Sequence, residues 1–348
     1  MSAPLLGTDA AGSGAGAQDQ LDRSIHDLRI SVIDDCNFRC TYCMPRETIG
    51  DGYTFLSSEE RLSYDEIVRL VGLFARLGVS KVKLTGGEPL LRPWLHTLIE
   101  RVVAVPGIRD VGLITNGYHL EKVAPHLKSA GLHRVSVSLD SLDEETWQRI
   151  NDRGYSVSRI LSGIRAAAAA GFHPVKINMV VQRGVNDHQI MEMVRAFRDP
   201  GYQLRFIEYM DVGTLNNWDR EKVMPSREIR DIIDAEYPLE PIEPNYHGEV
   251  ARRYRYIDGC GEIGLISSVT EPFCRDCTRA RLSADGRLYT CLFARDGHDL
   301  RAPLRSGASD EEIYHLLSDA WGNREDRYSE LRSDTGRSQK IEMFQIGG

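Results

Sequence analysis

The 348-residue sequence predicts an α/β protein, a partial (β/α)6 barrel of the TIM type closed by a smaller C-terminal α+β unit. Short β-rich runs alternate with helical patterns through much of the chain, which is typical of parallel strands joined by helices. Polar or cysteine-containing motifs follow most of these runs. After residue 238 the pattern changes, because the Pro-rich stretch "YPLEPIEPNY" precedes a second group of cysteines.

Six β-rich runs define the predicted barrel. Helical patterns such as 63–78 and 159–171 lie between them, with apolar residues at spacings of three and four and a Gly at the end. This alternation predicts parallel strands with right-handed crossovers, arranged either as a barrel or as an open doubly wound sheet. The predicted strands are 27–33, 81–85, 111–115, 134–139, 175–181 and 204–210.

The motifs favour the barrel because they lie at the carboxyl ends of the predicted strands. A cysteine array follows the first strand, "TGGEP" the second, "TNG" the third and "SLDS" the fourth, while Glu208 to Met210 end the sixth. Barrels of this type gather their active sites at that end, although an open sheet also binds ligands there. We therefore expect one functional site formed by several strands.

Composition sets the domain organisation and excludes some classes of partner. Residues 1–20 are rich in Gly, Ala and Ser and predict a disordered tail, followed by the barrel at 21–238 and a C-terminal cluster- and substrate-binding unit at 239–348. A net charge of −8 argues against a nucleic-acid partner. Without a long apolar run or a secretory signal, the sequence predicts a cytoplasmic protein with no membrane partner.

The cysteine array is "CNFRCTYC", in which Cys36, Cys40 and Cys43 have the spacing C-x3-C-x2-C. Three thiolates can hold three irons of a 4Fe–4S cluster, and the missing fourth ligand leaves one iron open to a small molecule. A zinc site is the alternative, but zinc prefers four ligands and no His stands at ligand spacing beside this trio. The array therefore favours a cluster.

The same array, with Tyr42 before its last cysteine, resembles the signature of radical S-adenosylmethionine (SAM) enzymes. The resemblance implies that the open iron binds SAM through its amino and carboxylate groups. It also implies that "TGGEP", with Gly86 and Gly87, approaches the methionine amino group. By the same resemblance the SAM-binding residues are Tyr42, Gly87, Ser138 and Met210.

A second group, Cys274, Cys277 and Cys291, has the spacing C-x2-C-x13-C and again lacks a fourth ligand. Two such trios in this order resemble the GTP 3′,8-cyclase family of molybdenum cofactor biosynthesis, from about Arg29 to the terminal "IGG". The resemblance implies two 4Fe–4S clusters as cofactors, together with SAM, and GTP as substrate. The GTP-binding residues that it implies are Arg29, Lys83, Lys176, Arg279, Ala280 and Arg281.

The implied reaction converts GTP into (8S)-3′,8-cyclo-7,8-dihydroguanosine 5′-triphosphate after reductive cleavage of SAM. Gly347 and Gly348, at the end of the chain, match the family's terminal Gly-Gly, which implies a catalytic role in directing the radical. The implied partners are an electron donor and a downstream cyclic pyranopterin monophosphate synthase. A homodimer stays among the possible oligomeric states.

The sequence departs from the family pattern at four positions. Lys83 stands where Arg is common, Ile114 where Thr is common and Asp35 where Arg is frequent, while Cys260 has no counterpart among the ligands. We expect Cys260 to be a free thiol in a turn. Two alternatives are kept: another radical SAM enzyme with a C-terminal auxiliary cluster, and a zinc-stabilised binding protein.

Overall fold

The structure, a computed structural model, describes residues 17–332 and 340–347. Most of the predicted disordered tail, residues 1–16, and the predicted catalytic Gly348 lie outside these ranges. Residues 17–20 are described and packed, because the Ala17 N–H donates to the Leu77 carbonyl (3.3 Å) and Asp19 is buried. The packed structure therefore begins before the boundary that the sequence suggested at residue 20.

All six predicted strands form, and they lie side by side in chain order as parallel neighbours. A doubly wound sheet reverses its strand order at a switch point, whereas this order runs in one direction, as in a barrel. The sixth strand ends two residues earlier than predicted, so that Met210 follows it. The strands are Asp27–Ser31 (β1), Lys81–Thr85 (β2), Asp110–Thr115 (β3), Arg134–Ser138 (β4), Val175–Val181 (β5) and Tyr202–Glu208 (β6).

The C-terminal part of the chain extends this sheet at both edges. A later strand, Arg279–Leu282, pairs parallel with β1, and Glu262–Ile266 pairs parallel with β6. Within the described residues the sheet has 12 strands and its two outer edges do not meet. It is therefore a partial barrel widened by the C-terminal unit. The added strands are Leu239–Ile242 (β7), Arg252–Tyr256 (β8), Glu262–Ile266 (β9), Arg279–Leu282 (β10), Arg287–Tyr289 (β11) and His298–Asp299 (β12).

Helices cover the outer, apolar face of the sheet. In β2, "KVKLT", Val82 and Leu84 join the buried core, which also contains Ile67 and Leu70 of the first helix. That helix begins after Ser63, whose side chain forms a capping box with Glu66. The helices are Tyr64–Arg76 (α1), Leu95–Val103 (α2), Leu120–Ser129 (α3), Glu144–Asn151 (α4), Val157–Ala169 (α5), Ile190–Phe197 (α6), Ser226–Glu236 (α7), Arg301–Arg305 (α8), Asp310–Gly322 (α9) and Met343–Ile346 (α10).

The alternate residues of the barrel strands face the interior, and many of them are polar or charged. The parallel register places Arg29 beside Lys83 and Ser136 beside Lys176, so side chains of one parity converge on the axis. The sheet thus has an apolar face under the helices and a charged face inside. Among the described residues, no helix has the length and apolar character needed to cross a bilayer.

Candidate functional site

The first cysteine loop follows β1 and is held in place by protein backbone and by a buried arginine. The Arg39 guanidinium donates to the Cys36 carbonyl (2.6 Å) and to the Ile49 carbonyl (2.9 Å). The Cys43 N–H donates to the Cys40 carbonyl (2.9 Å). These contacts fix the backbone from which the three thiols project.

The chemistry of this loop suits a metal cluster. Burial raises the pKa of the Cys36 thiol to about 12, and burial with the neighbouring Cys36 raises the pKa of Cys40 well above its usual range. A metal cation reverses this effect because it holds the sulfurs as thiolates. Among the described residues, no three His, Cys, Asp or Glu side chains converge on a single metal ion. A cluster needs no such convergence, since each cysteine binds a different iron.

The "TGGEP" turn packs directly against the first cysteine loop. A Cβ on Gly86 or Gly87 would collide with the backbone of Ile33 or Asp35, so the protein itself demands glycine there. The Gly87 N–H already donates to the Ile33 carbonyl (2.7 Å). A SAM amino group that contacts Gly87 would therefore donate a hydrogen bond to the Gly87 carbonyl.

The other predicted SAM-binding residues surround this end of the barrel. Tyr42 donates its hydroxyl to Asp140 Oδ2 (2.8 Å), and Asp140 Oδ1 accepts from the Val180 N–H (2.8 Å). Ser138 ends β4 and is half-buried, and Met210 lines the interior cavity. The carboxylate of Asp140 thus fixes the ring of Tyr42 beside the cysteines.

The second cysteine loop lies at the opposite end of β1. Cys277 precedes β10, which runs parallel to β1 with Arg279 beside Asp27, whereas the first loop follows Ser31. The rise of an extended chain makes this length of β1 roughly 13 Å. A nucleotide lying along the strand therefore has one cysteine loop near each end.

Two arginines, Arg279 and Arg324, lie near the second loop. Arg279 donates to the Cys277 sulfur (3.3 Å). Burial by itself raises the pKa of Cys277, but Arg279 and Arg324 outweigh it and lower this pKa to about 6. The loop is therefore electropositive, which favours thiolate ligands.

Between the loops lies a cavity of about 170 Å³ that collects most of the interior charges. Five of the six predicted GTP-binding residues line it: Arg29, Lys83, Lys176, Arg279 and Arg281. Ala280 lies on the apolar face of β10 beside Leu28, so that a ligand in the cavity meets only its backbone. Cys274, Cys277 and Cys291 border the same cavity.

Four further cations of the cavity were not predicted: Lys81, Arg134, Arg205 and Arg324. The sequence could have predicted three of them, Lys81, Arg134 and Arg205, from the alternation of side chains along a strand. Each lies an even number of residues from another cavity-lining residue of its own strand and therefore faces the interior. Arg205 donates to Asn178 Oδ1 (2.9 Å) and Ser136 Oγ (3.1 Å), two further inward residues. Arg324 follows α9 and carried no such pattern.

The cations of the cavity outnumber its acids. The acidic residues that line it are Asp27, Glu249 and Asp326. The side chains of Arg29, Lys83 and Lys176 form no hydrogen bond or ion pair with another described residue. Burial and the neighbouring Arg29 and Arg205 lower the pKa of Lys83 well below its usual range, and burial with Arg205 lowers that of Lys176 to about 7. This repulsion favours a bound polyanion.

The C-terminal segment enters the same region. Gly347 is buried with φ +67°, its carbonyl accepts from Arg281, and a Cβ there would collide with the Thr85 side chain. Phe344 packs with Met44 and Ile49 beside the first cysteines. The chain end therefore lies between the "TGGEP" turn and a predicted GTP-binding arginine.

The departures from the family pattern have distinct positions. Ile114 lines the cavity, and the Asp35 carboxylate accepts from the Cys36 N–H (2.7 Å), which places it on the cysteine loop. Cys260 lies in the turn between β8 and β9, and its N–H donates to Asp258 (3.0 Å). Its thiol is free and partly buried.

Comparison with known proteins identifies the family. Residues 30–197 match the Radical SAM superfamily model, and residues 202–330 match Molybdenum Cofactor Synthesis C. The GTP 3′,8-cyclase of Xanthomonas campestris pv. campestris (strain B100) is 49% identical over 97% of this chain and 98% of its own length. The GTP 3′,8-cyclase of Acidothermus cellulolyticus is 50% identical over 95% and 99%, respectively.

The fold likewise has solved counterparts. The crystal structure of Streptococcus suis SuiB bound to S-adenosylmethionine matches with a TM-score of 0.62 and 14% identity, covering 90% of this chain and 69% of SuiB. At that identity the match concerns the fold alone, and it confirms the predicted fold class. Together with the relatives of about half-identical sequence, these matches show that the chain belongs to the GTP 3′,8-cyclase family of radical SAM enzymes.

Proposed function

We propose that the chain performs the reaction of its family by holding GTP in the basic cavity between two 4Fe–4S clusters, each bound by one cysteine trio. The first cluster also binds SAM. The product is (8S)-3′,8-cyclo-7,8-dihydroguanosine 5′-triphosphate, for molybdenum cofactor biosynthesis. The cluster ligands are Cys36, Cys40 and Cys43 in the first loop and Cys274, Cys277 and Cys291 in the second.

The observation that carries this proposal is the set of unpaired interior cations between the two cysteine loops. Arg29, Lys83 and Lys176 form no hydrogen bond or ion pair with another described residue, although burying a cation without such a contact is costly. A triphosphate supplies the missing negative charge and accepts hydrogen bonds from all three. The remaining purine end of GTP then extends toward the second loop, where Arg279 and Arg281 lie.

When bound, the first cluster supplies the electron that cleaves SAM, which starts the radical chemistry on GTP. The chain's own residues orient the two reactants. Tyr42, held by Asp140, and the Gly87 carbonyl are proposed SAM contacts, together with Ser138 at the end of β4 and Met210 on the cavity wall.

The same geometry predicts that GTP affinity falls as pH rises from about 7 to 9. Burial and the neighbouring cations hold the pKa of Lys176 at about 7 and, mainly through burial, that of Lys81 at about 8. A bound triphosphate favours the protonated lysines, so binding takes up protons. Each lysine that must be protonated weakens binding by up to about tenfold per pH unit above its pKa. Phosphate groups are already ionised in this range.

Calorimetry of GTP binding at several pH values, in buffers of different ionisation enthalpy, measures this proton uptake. Lys176→Arg keeps a permanent charge and should flatten the pH dependence while retaining binding. Lys122→Arg, at an exposed position of α3, is the matched control and should leave the profile unchanged. A profile that Lys176→Arg does not alter contradicts the proposed phosphate contact.

The second cluster makes a separate prediction. Replacing Cys274, Cys277 and Cys291 with Ala should lower the iron content from about eight to about four atoms per chain. The variant should still cleave SAM but form no cyclised product, because the nucleotide loses its position. Iron analysis, SAM cleavage and product formation from GTP under anaerobic reducing conditions measure these effects.

Cys260→Ala is the control for this variant, since Cys260 lies in the β8–β9 turn outside both trios. It should keep both clusters and full activity. Normal cyclisation by the triple variant contradicts the second cluster. Its full loss of SAM cleavage contradicts the separation of roles.

We also propose the setting in which the chain works. Two clusters and seven cysteines without a disulfide fit a reducing compartment, in keeping with a cytoplasmic location. The reaction needs an external electron donor. Its product is the substrate class of a downstream cyclic pyranopterin monophosphate synthase.

A further inference from the structure

Three charged side chains form a buried ion-pair network behind the second cysteine loop. Asp19 Oδ2 accepts from Arg23 Nε (2.6 Å) and from Arg324 Nη1 (3.0 Å). The exposed fractions of these side chains are 0% for Asp19, 3% for Arg23 and 1% for Arg324. Asp19 Oδ1 is held in turn by two backbone N–H groups of its own turn, those of Leu21 and Arg23 (2.9 Å each). The carboxylate therefore fixes two guanidiniums that are 301 residues apart in the sequence, from 23 to 324.

Both arginines also donate to backbone carbonyls at Cys274, at Cys277 and at the residue before Cys291. Arg23 Nη1 donates to the Cys274 carbonyl (2.7 Å). Arg324 Nη1 donates to the Cys277 carbonyl (2.8 Å), and its Nε donates to the carbonyl of Thr290 (3.0 Å), the residue before Cys291. The backbone at or next to each of the three proposed ligands is thus bound by a rigid, planar guanidinium group.

Apart from these arginines, the loop backbone is held by the Cys277 N–H, which donates to the Cys274 carbonyl (3.2 Å), and by the His26 and Asp27 N–H groups, which donate to the Thr278 carbonyl (3.0 and 3.1 Å). Apart from the short 3-10 turn Cys274–Asp276, the stretch from Phe273 to Thr278 has no regular secondary structure, so its carbonyls depend on donors from elsewhere. Asp326 completes the network, because its carboxylate accepts from Thr290 Oγ1 (2.6 Å) and its backbone carbonyl accepts from Arg23 Nη1 (2.9 Å). The Asp19 carboxylate pairs with both arginines and the Asp326 carboxylate with Arg324 (3.7 Å). Besides the positive charge of Arg324 near Cys277, the loop therefore receives directional hydrogen bonds.

We propose that Asp19, Arg23 and Arg324 are positioning residues for the second cluster: they set the separation of the three cysteines before and after the cluster binds. This inference rests on the proposed function, since it presupposes the second cluster. It also gives a role to the segment before β1, which docks Asp19 against the C-terminal unit. The N-terminal and C-terminal parts of the chain must both be folded before the second loop has its binding geometry.

Arg324→Gln and Arg324→Lys test this inference in the full-length, anaerobically reconstituted protein. We expect iron to fall from about eight to about four atoms per chain in both variants, with SAM cleavage retained and cyclised product lost. Lys keeps the charge but cannot reach the Cys277 and Thr290 carbonyls and Asp19 at once, so a charge effect alone would be rescued by it. Where some second cluster remains, its midpoint potential, measured by electrochemical titration, should differ from that of the wild type.

Two further variants complete the experiment. Asp19→Asn keeps the side-chain volume and should give the same selective loss of iron. It tests the inference independently if an Arg324 variant fails to fold. Arg195→Gln removes an exposed arginine that pairs with Glu192 and Glu236, and it should keep all iron and activity.

The outcomes distinguish a failure of the positioning role from a failure of the proposed second cluster. Eight irons and an unchanged potential in both Arg324 variants and in Asp19→Asn overturn the positioning role alone, and so does an equal loss of both clusters. A wild-type protein that binds only about four irons overturns the second cluster and the positioning role together.

Discussion

Replacing Cys36, Cys40 and Cys43 together with Ala should abolish SAM cleavage and remove about half of the iron, about four of eight atoms. These cysteines are the sole protein ligands that we propose for the first cluster, and no cleavage can start without its electron. The second cluster should stay, because its loop lies at the far end of β1 and is held by other residues. Anaerobic iron analysis and quantification of 5′-deoxyadenosine measure the two effects.

The variant that lacks the second trio is the matched control, since it has the same number of substitutions and should still cleave SAM. Retained cleavage in the variant without the first trio would show that the radical site has been assigned to the wrong cysteines. The substitutions should be tolerated by the fold. They shorten side chains on a loop, and the apolar cluster beside it still contains Met44, Ile49 and Phe344.

Deleting Gly347 and Gly348 should preserve iron content and GTP affinity while the rate of cyclisation falls steeply. Gly347 occupies a narrow space beside Thr85, and its carbonyl accepts from Arg281. Removing the chain end opens this space between the proposed SAM and GTP positions. The radical then meets a less constrained nucleotide, although the phosphate-binding cations are unchanged.

Gly347→Ala gives a finer test of the same role. Its backbone has φ +67°, where an L side chain costs about 1–2 kcal/mol, and a Cβ there would also collide with Thr85. Gly154→Ala is the matched control, because Gly154 has φ +65° but no atom near its Cβ position. Iron content, GTP affinity and product formation should be compared for both. A truncated protein that forms product at the full rate would exclude a catalytic role for the tail.

Lys340 and Glu342, in the segment before this tail, anchor it to the loop that follows β6. Lys340 Nζ donates to the Asp211 carboxylate (2.8 Å) and carbonyl (2.9 Å), and Glu342 accepts from the Thr214 N–H (2.8 Å). Asp211 directly follows Met210, a predicted SAM-binding residue. The loop after β6 thus carries a predicted SAM-binding residue and also anchors the C-terminal segment.

Local patterns were enough to predict much of the fold and to select the six cysteines that we propose as cluster ligands. Alternation of strand and helix gave the parallel core, because β-branched runs and amphipathic stretches depend on residues a few positions apart. The six strands lie where the sequence placed them, with ends shifted by two residues at most. The cysteine trios and the family resemblance that they carry are equally local. In each trio the first two cysteines lie only a few residues apart, within one loop.

The lining of the proposed GTP cavity was predicted only in part, because its residues come from all the barrel strands. Arg29, Lys83 and Lys176 were chosen by resemblance, while Lys81, Arg134 and Arg205 were missed although strand parity brings them to the same interior. A charged residue in a strand faces either solvent or the axis, and the sequence alone does not say which face is covered. Only the curvature of the sheet around the axis made all of them neighbours.

By itself, therefore, the sequence determined the six barrel strands, the two cysteine trios and the family. The tertiary structure decided what these parts do together: β10 pairs with β1 across about 250 residues, which sets the second trio against the far end of the barrel. It also placed Asp19 against Arg324 and unpaired cations beside one another. Such contacts join residues distant in sequence, and their energies depend on burial and on the distance between charges, which no local pattern encodes.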